Sequence, residues 1–295
     1  MRSLIVGFIL FLVQVSSSAA ELEPALRIAV QVDRNGKLSS NNFCSGSVVE
    51  IEGDLHLMTA KHCLKNENPK GMYPDTVQRV RQYQANGEKA SIELWAQSWV
   101  PEGPRQAFSF SEEKFEGLDG DGAQVLLPHS RDQMNQRQVK VLSLAKEVPK
   151  PGSTVQLRGF PISGTFEALS CRVTSSEEFT AQLSKRCSLP PNYIENTRAK
   201  TGPFMLVSCP SRKSHPMGMS GGPVLDDEGR FVGVIASAPA DPQGGIDSGE
   251  WGADLKKRRE CYPEWSRLFF IRVYEPRSAD IDNGSNRAEK SGAIQ

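Results

Sequence analysis

Apolar and polar residues alternate along Leu26-Arg27-Ile28-Ala29-Val30-Gln31-Val32 roughly as a half-buried strand demands, with successive side chains on opposite faces. Two further apolar runs, 44–51 and 55–60, flank Glu52-Gly53-Asp54, a hairpin-type turn. Later strand signals fall at 91–100, 123–127, 153–160, 204–209 and 231–236, each short and bounded by Gly, Pro, Asn or Asp. One last strand or short helix is expected at 268–273. Many short strands with no helix-period segment between them predict an all-β sandwich or barrel architecture. The stretch Lys146-Glu147-Val148-Pro149-Lys150-Pro151-Gly152 is the clearest mid-chain link. It divides the chain beyond residue 20 into parts of about 125 residues, 21–147 and 148–275, each an ordinary domain size. No repeat is visible. Residues 65–74 and 184–201 have too little periodicity to place. The polar, Gly/Ser/Asn-containing segment 276–295 is expected to be disordered.

With 295 residues, 38% of them hydrophobic and 24% charged, the composition fits one or two globular domains and excludes wholesale disorder. Lys plus Arg and Asp plus Glu both number 35, so the formal net charge is zero. A nucleic-acid binder would carry a basic excess or stripe. The one basic cluster, Lys256-Lys257-Arg258-Arg259, lies between Asp254 and Glu260 and reads as a solvated turn. At the N-terminus, Met1-Arg2 precedes a 12-residue apolar stretch, 4–15, and then Ser16-Ser17-Ser18-Ala19-Ala20. This is the pattern of a signal peptide, residues 1–20, with cleavage expected after Ala20. Twelve residues make about 18 Å of helix, short of the roughly 20 residues that span a bilayer. Stable membrane insertion is therefore not expected, and the protein should be secreted or periplasmic. Export makes disulfides natural for Cys44, Cys63, Cys171, Cys187, Cys209 and Cys261. No CxxC pair occurs and the four histidines form no ligand cluster, so no metal is expected.

Two motifs carry candidate chemistry. Thr59-Ala60-Lys61-His62-Cys63 puts a histidine beside a cysteine at the end of an apolar strand. Gly218-Met219-Ser220-Gly221-Gly222-Pro223-Val224 sets a serine between glycines, which let a backbone pass close to a substrate. A serine nucleophile needs an imidazole to take its proton, and the imidazole needs a carboxylate to set its tautomer. Between the two motifs lies Asp119-Gly120-Asp121-Gly122-Ala123, leading into an apolar strand. Asp121 is the preferred carboxylate and Asp119 its competitor.

The order His62, Asp121, Ser220, with these flanking residues, resembles the trypsin/chymotrypsin-like serine peptidases over roughly residues 25–275. The resemblance implies two six-stranded antiparallel barrels with the active site in the cleft between them. His62 and Asp121 would come from the first barrel and Ser220 from the second. It implies an oxyanion hole built from the amides of Gly218 and Ser220, and a disulfide between Cys63 and Cys44. Among the other four cysteines, Cys171 with Cys187, 16 residues apart, is the preferred bridge, which leaves Cys209 with Cys261. Substrates would be proteins or peptides, cleaved through an acyl-enzyme by a monomer without cofactor.

The chain also departs from that family. Met219 stands where trypsin-like enzymes carry the aspartate that receives a new N-terminal ammonium after zymogen cleavage. Arg27-Ile28-Ala29-Val30 looks like an activation junction but lacks that partner, so no such cleavage is expected. This points to bacterial-type members, including those resembling glutamyl endopeptidases, to which Gly159-Phe160-Pro161 is similar. Aligned from the serine, Ser214 takes the pocket-floor position, His215 lies beside it, and the strand through Ala236 forms the wall along which substrate backbone would pair. No acid at the floor means no support for a Lys or Arg preference. One rival is a non-catalytic binding protein on the same scaffold. Another is an esterase with a nucleophile elbow, which requires a histidine after the serine. No histidine follows Ser220.

Overall fold

The computed structural model describes residues 24–34, 37–64, 76–96, 107–109, 115–118, 121–137, 139–161, 166–186, 203–210, 218–237 and 267–274. The expected signal peptide, the basic cluster, the C-terminal segment and Asp119 lie outside the described residues, as do Cys187, Ser214, His215 and Cys261. Strands β1 (Leu26–Arg34), β2 (Lys37–Ile51) and β3 (Asp54–Ala60) come first, followed by the single turn α1 (Lys61–Leu64). Helix α2 (Thr76–Ala85) and strands β4 (Lys89–Ala96), β5 (Ala107–Ser109), β6 (Phe115–Gly117) and β7 (Gly122–Leu126) follow. Helix α3 (Arg131–Gln136) and β8 (Val141–Ser143) complete the first half. The second half holds β9 (Thr154–Gly159), β10 (Glu167–Thr174), α4 (Ser176–Arg186), β11 (Phe204–Ser208), β12 (Pro223–Leu225), β13 (Phe231–Ser237) and β14 (Leu268–Val273).

The fold is mostly β, with two barrel-like sheets of the chymotrypsin type. The second sheet closes as a six-stranded barrel, β10-β11-β14-β13-β12-β9. The first runs β5-β4-β1-β2-β3-β7-β6, with β8 lying parallel to β2. It has eight strands rather than the expected six, because short edge strands extend it, and it forms a half-barrel among the described residues. The period-two pattern explains the faces: Leu26, Ile28, Val30 and Val32 of β1 point into the first core. Val155 and Leu157 of β9 do the same in the second, while Thr154 and Gln156 face solvent. The segment 268–273 is a strand, not a helix. All six residues of β14 are buried: Phe269, Ile271 and Val273 lie in the second core, while Arg272 on the opposite face lies against Gly122 of the first sheet.

Strand β10 and the helices were not anticipated from the chain. In β10, Leu169, Cys171 and Val173 alternate inward. For α4 a legible signal exists: Ser175 Oγ accepts the Glu178 N–H (3.2 Å), and Glu177 and Glu178 occupy the first turn. The two sheets meet in a mixed apolar layer, where Val49, Met58 and Leu142 of the first pack on Leu225, Phe231 and Val234 of the second. The functional motifs stand at the edge of this layer.

Candidate active site

His62 and Asp121 are brought together by strand register. Strands β3 and β7 pair antiparallel, with Thr59 opposite Ala123 and Ala60 opposite Gly122. The residues just beyond the ladder, Lys61 and Asp121, continue it: the Lys61 N–H donates to Asp121 O at 3.0 Å. One residue later the chain turns into α1. The His62 N–H then donates to Asp121 Oδ1 (3.0 Å), and Nδ1 stands 2.7 Å from Oδ2. An ionised carboxylate only accepts, so in a neutral imidazole the proton shared with it sits on Nδ1 and Nε2 is left with its lone pair. The histidine side chain is 40% exposed and the carboxylate 18%, so the ring reaches solvent over a mostly covered partner.

The Cys44–Cys63 disulfide forms as the resemblance implies, closing 19 residues and tying α1 to β2. Its sulfurs lie within 4.8 Å of a His62 ring nitrogen. Both are consumed in the S–S bond, so this trio offers no metal site. The Cys63 sulfur also stands 3.5 Å from Ser220 O. A disulfide sulfur has no proton to give, so this is a packing contact, and it sets the serine's backbone beside the residue after the histidine.

The Ser220 loop is shaped by glycines. Gly218 (φ 95°) and Gly221 (φ 80°) both adopt the left-handed region. The Gly221 N–H donates to Ile235 O (2.7 Å), the Ile235 N–H to Gly222 O (3.0 Å), and the Gly222 N–H to Met219 O (2.9 Å). Met219 is fully buried in the second core, where a thioether fits and an unpaired carboxylate would not. A residue that sequence reasoning passed over, Ser45 of β2, also touches this loop: its N–H donates to Ser220 O at 2.8 Å. The only signal in the chain was a pair of small polar residues, Ser45 and Ser47, in the 44–51 stretch of that strand. Both are fully buried.

Two expectations are revised. Cys171 is bonded to Cys209, not Cys187, and the Cys209–Cys261 pairing falls with it. The reason is register: Arg172 faces Ser208 across β10 and β11, so Cys171 and Cys209 stand opposite each other with Cα atoms 4.2 Å apart. Second, β13 is not an open wall. Pairing with β12 and β14, together with the Gly221 and Gly222 bonds, occupies it as far as Ile235. Beyond Ile235 the β14 pairing continues to Ser237, and Ala236 between them is buried. In keeping with the expected absence of an activation cut, Arg27-Ile28 lies near the start of a strand paired on both sides, to β2 and β4. Ile28 is fully buried, and the Arg27 guanidinium sits 4.7 Å over the Phe160 ring, its pKa lowered by burial. Trypsin should leave the Arg27–Ile28 bond of the folded protein intact. Mass spectrometry that found this cut together with a gain in activity would refute the absence of an activation cleavage.

A profile of the trypsin-like peptidase domain matches residues 44–234, well over half of the chain. The chain belongs to the trypsin-like peptidase domain family. The matched span takes in both cysteines beside His62, Asp121 and the Ser220 loop, and it ends within β13. Among curated proteins no sequence matches. The chain is similar to the crystal structure of the Rv3671c protease from M. tuberculosis in its active form. That comparison gives 18% identity and a TM-score of 0.43, covering 94% of this chain and 84% of that one. Against the inactive form of Rv3671c protease the values are 17% and 0.42, with 88% of each chain covered. Two disulfides in this trypsin-like domain fit an extracellular or periplasmic protein. Among the described residues no helix is long and apolar enough to cross a membrane.

Proposed function

We propose that the protein is a serine endopeptidase, exported by cleavage after Ala20 and acting as a monomer on protein or peptide substrates. The observation that carries this reading is the His62–Asp121 pair, with Nδ1 2.7 Å from Oδ2, beside the loop that bears Ser220. Ser220 Oγ attacks the scissile carbonyl carbon while its proton passes to His62 Nε2. Asp121 keeps Nδ1 protonated and offsets the charge of the imidazolium. The negative charge on the carbonyl oxygen is held by the amides of Gly218 and Ser220, each such donor contributing about 2.7–4 kcal/mol. As the C–N bond breaks, His62 returns its proton to the leaving amine, and an acyl-enzyme on Ser220 remains. Water, deprotonated by His62, then releases the carboxylic acid and restores the serine. The chemistry needs no cofactor. Ser214, His215 and Ala236 are the proposed pocket residues.

The test is exposure of the mature protein to a fluorophosphonate probe, with the adduct located by mass spectrometry. The expected result is a single adduct on Ser220 that is lost in a Ser220→Ala variant. Folded protein that remains unmodified would reject the enzyme reading in favour of a binding protein on a peptidase scaffold.

A further inference from the structure

The Ser45 hydroxyl takes no part in the chemistry above, yet it sits at the junction of the two sheets. Ser45 is fully buried, one residue past the disulfide at Cys44. Its Oγ donates to Gly218 O at 2.9 Å and accepts the Phe160 N–H at 2.9 Å. Its backbone N–H donates to Ser220 O (2.8 Å), and its carbonyl accepts Thr59 Oγ1 (2.8 Å). One residue of the first sheet therefore holds the carbonyls at both ends of Gly218-Met219-Ser220. The middle carbonyl, Met219 O, is held by the Gly222 N–H at 2.9 Å.

Peptide planarity turns these three restraints into a statement about N–H direction. The Ser220 N–H shares a plane with Met219 O and cannot rotate while that oxygen is bonded. The peptide joining Gly218 to Met219, which carries Gly218 O and the Met219 N–H, is the weak point of the segment. Gly218, at φ 95°, is free of the steric barrier that would keep another residue from turning it. What opposes rotation there is the bond from Ser45 Oγ to Gly218 O. No charge on residue 219 does this holding, because Met219 has none and is sealed in the second core.

We propose that Ser45 is a positioning residue for acyl transfer. Its hydroxyl and its N–H pin the carbonyls at both ends of Gly218-Met219-Ser220 and so fix the path of the segment that carries the Gly218 and Ser220 amides. It thereby couples the oxyanion donors to the docking of the two sheets and makes the loop competent without a maturation cut. The proposal rests on the serine-peptidase reading. Ser45→Ala removes the hydroxyl and leaves both backbone bonds in place. It also strands two buried partners, Gly218 O and the Phe160 N–H, and such partners are costly to leave unmade.

The experiment compares wild type and Ser45→Ala in peptide hydrolysis, in inhibition by a peptide aldehyde and in native-state amide exchange at Phe160. The expected result is a fall in kcat of roughly ten- to hundredfold, with KM nearly unchanged. Inhibition by the aldehyde, which forms the tetrahedral adduct, should weaken in proportion, and Phe160 exchange should quicken roughly tenfold. A merely structural role would lower the thermal midpoint without this split between kcat and KM. Unchanged kcat and aldehyde affinity in an enzyme that still labels at Ser220 would overturn the proposal and leave the peptidase reading intact. A wild type that does not label would overturn both. Should Ser45→Ala fail to fold, exchange in the wild type decides: a Phe160 amide exchanging as fast as an exposed loop amide overturns the proposal.

Discussion

Asp121→Asn is expected to lower kcat by about 10,000-fold while the protein stays folded, the scale this swap has in a Ser-His-Asp triad. The geometry specifies why. The His62 backbone N–H donates to Asp121 Oδ1 at 3.0 Å, and that bond requires an acceptor. In the asparagine variant the amide oxygen must take this position, so the NH2 group turns toward His62 Nδ1. Two donors cannot share a hydrogen bond, so Nδ1 becomes the acceptor and the ring proton moves to Nε2. The nitrogen that should receive the Ser220 proton is then already occupied. The measurement is kcat on a peptide substrate beside a thermal melt, with Asp119→Asn as comparison. A loss below tenfold at Asp121, with a large one at Asp119, would transfer the orienting role to Asp119.

Gly221→Ala should destabilise the fold by about 2–5 kcal/mol, the sum of left-handed backbone strain and overpacking. At φ 80° an alanine is strained whatever the space around it. Here there is also no space. Its Cβ would stand 2.1 Å from Thr59 Oγ1, 2.3 Å from Ser45 O and 2.8 Å from Ala60 N. Two of these are backbone atoms of β2 and β3, and Thr59 Oγ1 is fixed by its bond to Ser45 O. Relief would require the two sheets to separate at the point where they share a core. Gly229→Ala is the control. It has a comparable φ of 76° but nothing within 4 Å, so only about 1 kcal/mol of backbone strain is expected. Urea midpoints compare the two. Equal losses would mean that the sheets do not approach closely at Gly221.

The division between what was and was not legible follows the range of the interactions. Alternation in β1 and β9 reports burial of one strand face, and the apolar runs in β2, β3, β11 and β13 report burial of both. This is a local property of the chain and could be read directly. Edge strands of three residues carry no period long enough to see. The helices were overlooked although Ser175 and Glu177-Glu178 announce one of them, because the surrounding strand signals set the expectation. The candidate residues His62, Asp121 and Ser220 were identified by their flanking residues, since glycines and the strand ends leave their mark in the chain itself.

Pairings across space were another matter. Cys171 was assigned to Cys187 on sequence proximity, whereas the register of β10 against β11 sets Cys209 opposite it. Likewise nothing within β2 distinguishes Ser45 from Ser47, both fully buried. Only the docking of the sheets brings Ser45 against Gly218, Ser220 and Phe160. The sequence by itself determined the strand faces, the family motifs and the absence of a charge at residue 219. Each of these depends on residues near one another along the chain. The tertiary structure alone decided the second disulfide, the closed edge of β13 and the Ser45 contact. Those depend on register and on the packing of one sheet upon another, in which the partners lie tens of residues to well over a hundred residues apart.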